Sequence, residues 1–426
     1  ILIILFISGN LFSQDYRNVF PYYYDIKELN ANYIHIPNNN YGFLTVTNSG
    51  YPNQCSWLRF GLETIVYEQG LFLIGKMNNE IYLSEAMWGS LYSPGPILDD
   101  EAAMNSHPED SLKYRVYKIS KGDSNDINID MKDWPIEWGA PITNDLKIKL
   151  YGDQMLWTIY NSFDQNCVIP VFRDRSDYPT FPLEIHQIVF AYDLASNNIP
   201  DFLKDVIFFE YTIINKGYTP IDSAYVGLWT DIDFYGENNY PAVDPSLQLG
   251  YCWSDFTPNN PWYDSTKIPS VGYLQLFGPS VNSPGKTATF KGEKRPDYKN
   301  LDISAFWGFH DDSFPDSSNF GPAYSRSTAW NIARGYNKSG KDIIDPFTNK
   351  KTTFRYSGDP VNNTGWLANK LKTGGGAGFY IFSGPFNLAP MDTQWVMYAL
   401  IAARGTNNLG SIDELRRRAG LLQELD

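Results

Sequence analysis

Four acidic residues within one short stretch, TDIDFYGENNYPAVD, are the group best placed for chemistry: Asp231, Asp233, Glu237 and Asp244. Asp231 and Asp233 are two apart, so an extended backbone sends both carboxylates to the same side, about 6.5–7 Å apart. Hard oxygen ligands at that spacing suit a structural Ca²⁺, with Gly236 in the loop that would fold Glu237 or Asp244 inward. The competing reading is a solvated acidic loop beyond a strand end. Paired carboxylates also hydrolyse glycosides when they face each other across a cleft, but two on one strand face are better placed to share a cation.

Aromatic residues form a second set. Trp253, Trp262, Tyr263, Trp307, Trp330 and Tyr336 fall among polar, Gly and Pro residues. Loop aromatics that escape strand alternation can make a flat face for a ligand, and glycans are the natural choice outside a cell. Packing against the rest of the chain explains them equally well.

Weaker signals add little. The run from Asp123 to Asp130 faintly echoes a calcium loop, but in neither register does it combine the turn Gly with the closing Glu. His35, His107, His186 and His310 are far apart and show no metalloprotease spacing. The stretch Lys372-Thr373-Gly374-Gly375-Gly376 lacks the setting of a phosphate loop and reads as a link or turn. Cys55, Cys167 and Cys252 are too few and too scattered for a disulfide framework or a thiolate metal site. They read as small buried residues, with one disulfide as the alternative.

The elements that would carry these groups are strands. Across 205–233 the chain reads as a central hairpin. Ile207, Phe209, Tyr211 and Ile213 form one face of its first strand, and Ala224, Val226 and Leu228 are buried on its second. Asn215-Lys216-Gly217 and Thr219-Pro220 supply the turn chemistry between them. Leu183, Ile185, Val189 and Ala191 share a face, and residues 395–402 are apolar on both faces, as expected in the middle of a packed layer. A single helix closes the sequence, with Ser411 and Glu414 as a capping box and Leu415, Ala419 and Leu422 as its apolar face. The fold class expected is mainly β: antiparallel β-sandwiches, immunoglobulin-like or larger, with a long loop-rich insertion and one C-terminal helix.

Composition bounds the function. The 426 residues are 43% hydrophobic and 16% aromatic, with 30 Tyr and 12 Trp, ample for a large core of aromatic-rich sheets. A formal net charge of −14 disfavours nucleic acid and anionic membrane surfaces, whose binding rests on cationic neutralisation. Residues 1–13 fit the apolar core of a signal peptide, and the alternative is an N-terminal core strand. No later stretch is long and apolar enough to be a membrane helix. The expected division is a leader at 1–13, an N-terminal β domain at 14–197, a sandwich at 198–410 with an insertion at 234–376, and a helix at 411–426. Residues 16–33 read as a poorly ordered arm.

Several stretches resemble a family of exported bacterial proteins that carry a C-terminal type IX secretion sorting domain. They are GLFLIGKMNNEIYLSE from Gly70, DWPIEWGAP from Asp133, YGDQMLWTIYN from Tyr151, FFEYTIINKGYTPIDSAYVGLWTDID from Phe208 and LQLGYCW from Leu247. GDPVNNTGW from Gly358 and FSGPFNLAPMDTQWVMYALIAARGTNNLGSIDELRRRA from Phe382 complete the set. Together they span most of the chain in order, and they are signatures of a scaffold. The resemblance implies a secreted or cell-surface protein, an acidic loop after the 221–232 region, and a sorting domain read by the secretion machinery beyond Asp426. It implies no activity. The function expected is a non-catalytic β-sandwich for adhesion, surface architecture or ligand binding, stabilised by Ca²⁺, with an extracellular glycan or surface protein as partner. The alternatives are a carbohydrate-binding module and a secreted glycoside hydrolase that uses loop carboxylates.

Overall fold

A computed structural model describes residues 24–44, 55–59, 63–87, 89–98, 112–163, 179–232, 239–255, 268–310, 325–368 and 377–425. The leader-like run, His107, Cys167, Asp233, Glu237, Trp262, Tyr263 and Gly374 to Gly376 lie outside them. The chain is mainly β and its strand pairings are antiparallel, in two large facing sheets.

The nine-stranded sheet runs Tyr240–Asp244, Leu249–Trp253, Ser270–Phe277, Thr393–Ala403, Val206–Asn215, Leu183–Ala191 and Gln154–Asn161, the last pairing with both Ser93–Pro94 and Tyr117–Ser120. The six-stranded sheet runs Ala305–His310, Ala377–Leu388, Ile221–Ile232 and Glu68–Met77, which pairs in turn with Phe43–Leu44 and Glu80–Glu85.

Period-two alternation decides which side chains meet between the sheets. Ile207, Phe209, Tyr211, Ile213, Val396, Tyr398 and Leu400 from one sheet share a buried cluster with Leu71, Leu73, Val226, Leu228, Phe379 and Ile381 from the other. Strands apolar on both faces also bury their outer sides. Beyond the nine-stranded sheet, Ile401, Ala399 and Leu274 pack under Ile412, Leu415, Ala419 and Leu422 of the helix Asn408–Gln423. Beyond the six-stranded sheet, Phe72, Trp229 and Tyr380 pack under Ala329, Trp330 and Ile332 of the helix Arg326–Ala333. The result is four layers, helix on sheet on sheet on helix.

Five expectations need correction. The strands Val206–Asn215 and Ile221–Ile232 are not hydrogen-bonded to each other, because they belong to different sheets. Each is apolar on its inner face, so a connection that crosses the gap lets those faces meet, whereas a hairpin would lay them side by side. The connection between Leu388 and Thr393 crosses in the same way. Asn215 joins the two crossings: its N–H donates to Asp392 O, its carbonyl accepts from Met391 N, and its Nδ2 reaches Leu388 O.

The boundary near residue 197 does not divide two cores, since Leu183–Ala191 and Val206–Asn215 on either side of it pair from Leu183↔Asn215 to Phe190↔Phe208. The insertion is likewise no separate body. Its strands lengthen both sheets, and one hairpin, Ser280–Phe290 with Glu293–Asn300, folds back over the nine-stranded sheet.

Of the expected arm, residues 24–33 are among those described, and there Ile26–Leu29 forms a strand that pairs with Ile34–Asn39. The C-terminal helix begins a turn before the expected box, with Asn407 as its cap accepting from Gly410 N at 2.8 Å. Ser411 is inside the helix and donates to Ile268 O, while Glu414 holds Arg417 and Arg418 at 2.7 and 2.8 Å. Asn407 has the short acceptor side chain that a cap requires, one turn ahead of Ser411.

Candidate binding groove

Where the C-terminal helix stops covering the nine-stranded sheet, four neighbouring strands carry a mixed polar and aromatic patch on its outer face. Register builds it. Trp157, Ile188, Glu210 and Met397 lie in one row across the sheet, and Ile159, His186, Thr212 and Trp395 in the next. Two segments outside the nine-stranded sheet wall this patch into a groove of about 330 Å³. One wall is Gly139, Pro141, Ile142, Lys149 and Tyr151, and the other is Phe290, Lys291 and Glu293 at the hairpin tip.

Local chemistry fixes both walls. Gly139 ends the short helical turn Ile136–Trp138 with φ +80, a conformation glycine adopts without strain. A Cβ there would stand 2.8 Å from Cε1 of His186. Thr143 N bonds Lys147 O and Thr143 Oγ1 bonds Asp145, which closes the loop that carries Lys149 and Tyr151. The hairpin turns through Lys291 and Gly292, both at positive φ, the conformation of a two-residue turn. Its base is tied to the sheet by Gln394, which accepts from Ser280 N and donates to Ser280 O.

Glu210 is the central group. It interrupts an apolar strand, VIFFEYTII, and is 7% exposed. Its Oε2 accepts from Trp395 Nε1 at 3.1 Å. Burial pushes this carboxyl above the usual carboxylate range, against the Trp395 hydrogen bond and the charges of Lys149 and Lys291. Lys291 stands on an exposed turn and lines the groove. Desolvation pushes it below its ordinary value, offset by Glu210 and reinforced by the like charge of Lys149.

Lys149 Nζ lies 4.9 Å from the centre of the Tyr151 ring. At the other end, His186 Nε2 contacts Glu184 Oε1 at 3.0 Å. Glu184 is buried, which opposes its ionisation. The His186 bond and charge, Lys216 and the Ile97 N–H nevertheless hold it below the usual carboxylate range. The groove thus combines aromatic walls, a buried carboxyl on a strand fixed by packing, and two lysines on the loop and turn that wall it. Its chemistry matches that of a small polar molecule with a flat apolar face.

The described members of the aromatic set expected from sequence do not line this groove. Trp253 is 1% exposed against Tyr240, Trp307 is 2% exposed under the Arg355 guanidinium, and Trp330 is 8% exposed against Tyr225. All three pack outer sheet faces, so they offer no ligand face. Half-buried Tyr336 lies under Arg334 and Lys351.

Of the acidic set, Asp231 sits in the strand Ile221–Ile232 and Asp244 ends the strand Tyr240–Asp244. Asp244 accepts from Ser246 at 2.6 Å and pairs with Arg416 at 3.4 Å, so its carboxylate already has a cation. Among the described residues no group of three or more His, Cys, Asp or Glu could hold a metal ion. In the Asp123 to Asp130 loop, Asp123 accepts from Ser120 N and Asn128, and Asp130 pairs with Lys27 and Arg115, so these side chains bind the loop to the chain. Cys55 and Cys252 are free and buried.

Among the described residues, no helix is long and apolar enough to cross a membrane. No family model matches the chain, and no curated protein matches it. Among solved structures it is similar to a GH36 alpha-galactosidase from Geobacillus stearothermophilus in complex with stachyose, at 8% identity and a TM-score of 0.31. That match covers 89% of this chain and 40% of the other, so this chain spans less than half of that protein. At such a TM-score the likeness carries no argument about fold or activity.

Proposed function

We propose that this chain is a non-catalytic, ligand-binding β-sandwich of the cell exterior, and that its groove binds a saccharide. The exterior location is supported by the sequence resemblance described above. The groove itself carries the binding reading: Tyr151 and Phe290 wall a recess whose floor holds Glu210 and Thr212 on rigid strands. Aromatic faces suit the C–H face of a sugar ring, and the polar floor suits its hydroxyls.

The test is a glycan array probed with the wild-type chain and with Tyr151→Ala. A saccharide class bound by the wild type should lose about tenfold or more in affinity in the variant, equivalent to about 1.4 kcal/mol, with melting unchanged. Binding to no saccharide, or equal binding by both proteins, would refute the reading.

One observation favours a second reading, a glycoside hydrolase. Glu210, a carboxyl with a raised pKa, and Glu293 line the same groove. Release of reducing ends from a bound saccharide, abolished in Glu210→Gln, would favour the enzyme. Intact saccharide after prolonged incubation would favour the binding protein.

A further inference from the structure

Resting on the reading of the groove as a saccharide site, we propose that its ligand is an oligosaccharide, a chain whose further rings lie in an adjoining recess beside the end of the C-terminal helix. One row of the sheet floors both. Trp157, Ile188, Glu210 and Met397 pair across four strands, and Phe277 extends that row to a fifth. Trp157, Ile188 and Glu210 line the groove already described, whereas Met397 and Phe277 line a second recess of about 440 Å³. Paired residues on neighbouring strands are about 5 Å apart, so no strand separates Glu210 in the first recess from Met397 in the second.

The walls are shared as well. The hairpin of Ser280–Phe290 and Glu293–Asn300 puts Phe290, Lys291 and Glu293 at its tip on the groove, and Gly278 and Asn300 at its foot on the second recess. On the opposite flank, Tyr151 of the groove packs against Phe190 of the recess with ring centres 5.7 Å apart, and Phe190 stacks on Phe208 at 4.8 Å. Leu422 and Leu425, at the end of the C-terminal helix, close the far side.

Length decides what fits. From Thr212 in the groove to Phe208 in the recess the strand advances four residues, about 13 Å, and from Ile188 to Phe277 the row crosses three strand spacings, about 14 Å. A single sugar ring covers only part of that floor, whereas a chain lying diagonally across it reaches both recesses. Each recess pairs aromatic with polar side chains, so a chain of like units suits the whole better than one sugar joined to an unlike group. In the second recess half-buried Phe277 offers apolar surface to a ring, and the exposed Asp302 carboxylate can accept from its hydroxyls.

Calorimetric titration of the whole chain with cello-, xylo- and malto-oligosaccharides, each from monosaccharide to hexasaccharide, tests this. In the series that binds, affinity should rise at least about tenfold with length. Phe277→Ala should flatten that rise. So should Leu425→Ser, at a residue 52% exposed, and this variant should melt with the wild type.

Equal affinity along a series in the wild type, lost in Tyr151→Ala, would overturn the chain-length inference while leaving the groove reading intact. A rise that survives in both variants would overturn the part assigned to the second recess. Binding of none of the three series would overturn the inference, and silence across a full glycan array would overturn the groove reading as well.

Discussion

Arg418 donates from Nη1 to Asp205 Oδ2 at 2.8 Å, linking the C-terminal helix to the turn that leads into the central strand of the nine-stranded sheet. Asp205 is fully buried, and it also accepts from Trp57 Nε1 at 2.9 Å and Arg59 Nε at 2.8 Å. One carboxylate therefore joins residues from the beginning, middle and end of the chain.

Removing that carboxylate would leave the Arg418 guanidinium with Glu414 alone at 2.8 Å and would strip Trp57 Nε1 and Arg59 Nε of their buried acceptor. Asp205→Ala is expected to destabilise the chain by about 3–5 kcal/mol, the range for breaking one side of a buried pair. Urea denaturation measures this. A change below about 1 kcal/mol would show that the pair is not what holds the helix down.

The buried tryptophans should behave as packing residues. Trp253→Ala and Trp307→Ala are each expected to cost about 3–5 kcal/mol of stability, as large aromatic truncations do in cores. Saccharide affinity of the folded fraction should be unchanged. Lost affinity with unaltered melting would restore them as ligand contacts.

These tryptophans mark where sequence reasoning reached its limit. Alternation made both faces of Val206–Asn215 and Thr393–Ala403 legible, along with the antiparallel class and the helix face at Leu415 and Ala419, because burial follows a period that can be counted. Pairing was not legible. Whether Ile221–Ile232 lies beside Val206–Asn215 or across from it depends on partners far away in sequence, Ala377–Leu388 and Glu68–Met77. Trp253 and Trp307 looked like loop aromatics because the short strands that carry them interrupt polar sequence. The groove was missed because its parts come from the segments around 139–151, 186–212 and 290–293, which only register and hairpin folding bring together. One signal was available: Glu210 is a lone acid in an otherwise apolar strand, and such a residue needs a reason to be there.

That acid sets a pH dependence. A carboxyl whose folded pKa lies above its unfolded value contributes no penalty while protonated in both states. Stability then falls as pH rises from the ordinary carboxylate range through the folded value. Glu210→Gln keeps an acceptor for Trp395 Nε1 and removes the titration. Its melting temperature at pH 7 should equal or exceed that of the wild type, and the difference should narrow toward pH 4. A variant less stable at pH 7 would mean that the ionised form, paired with Lys149 and Lys291, is the favoured one.

Gly139 links backbone geometry to the groove. An alanine there would occupy the left-handed region, at about 1–2 kcal/mol. Its Cβ would also press on His186 Cε1 from 2.8 Å. Gly139→Ala should lower the melting temperature and weaken saccharide binding together. Unchanged affinity would place the ligand away from the His186 end of the groove.

The most direct measurement is a crystal structure of the chain with the saccharide it binds most tightly. The account predicts density in the recess between Tyr151 and Phe290, over Glu210 and Thr212. Density elsewhere on the surface, with that recess holding only solvent, would contradict it.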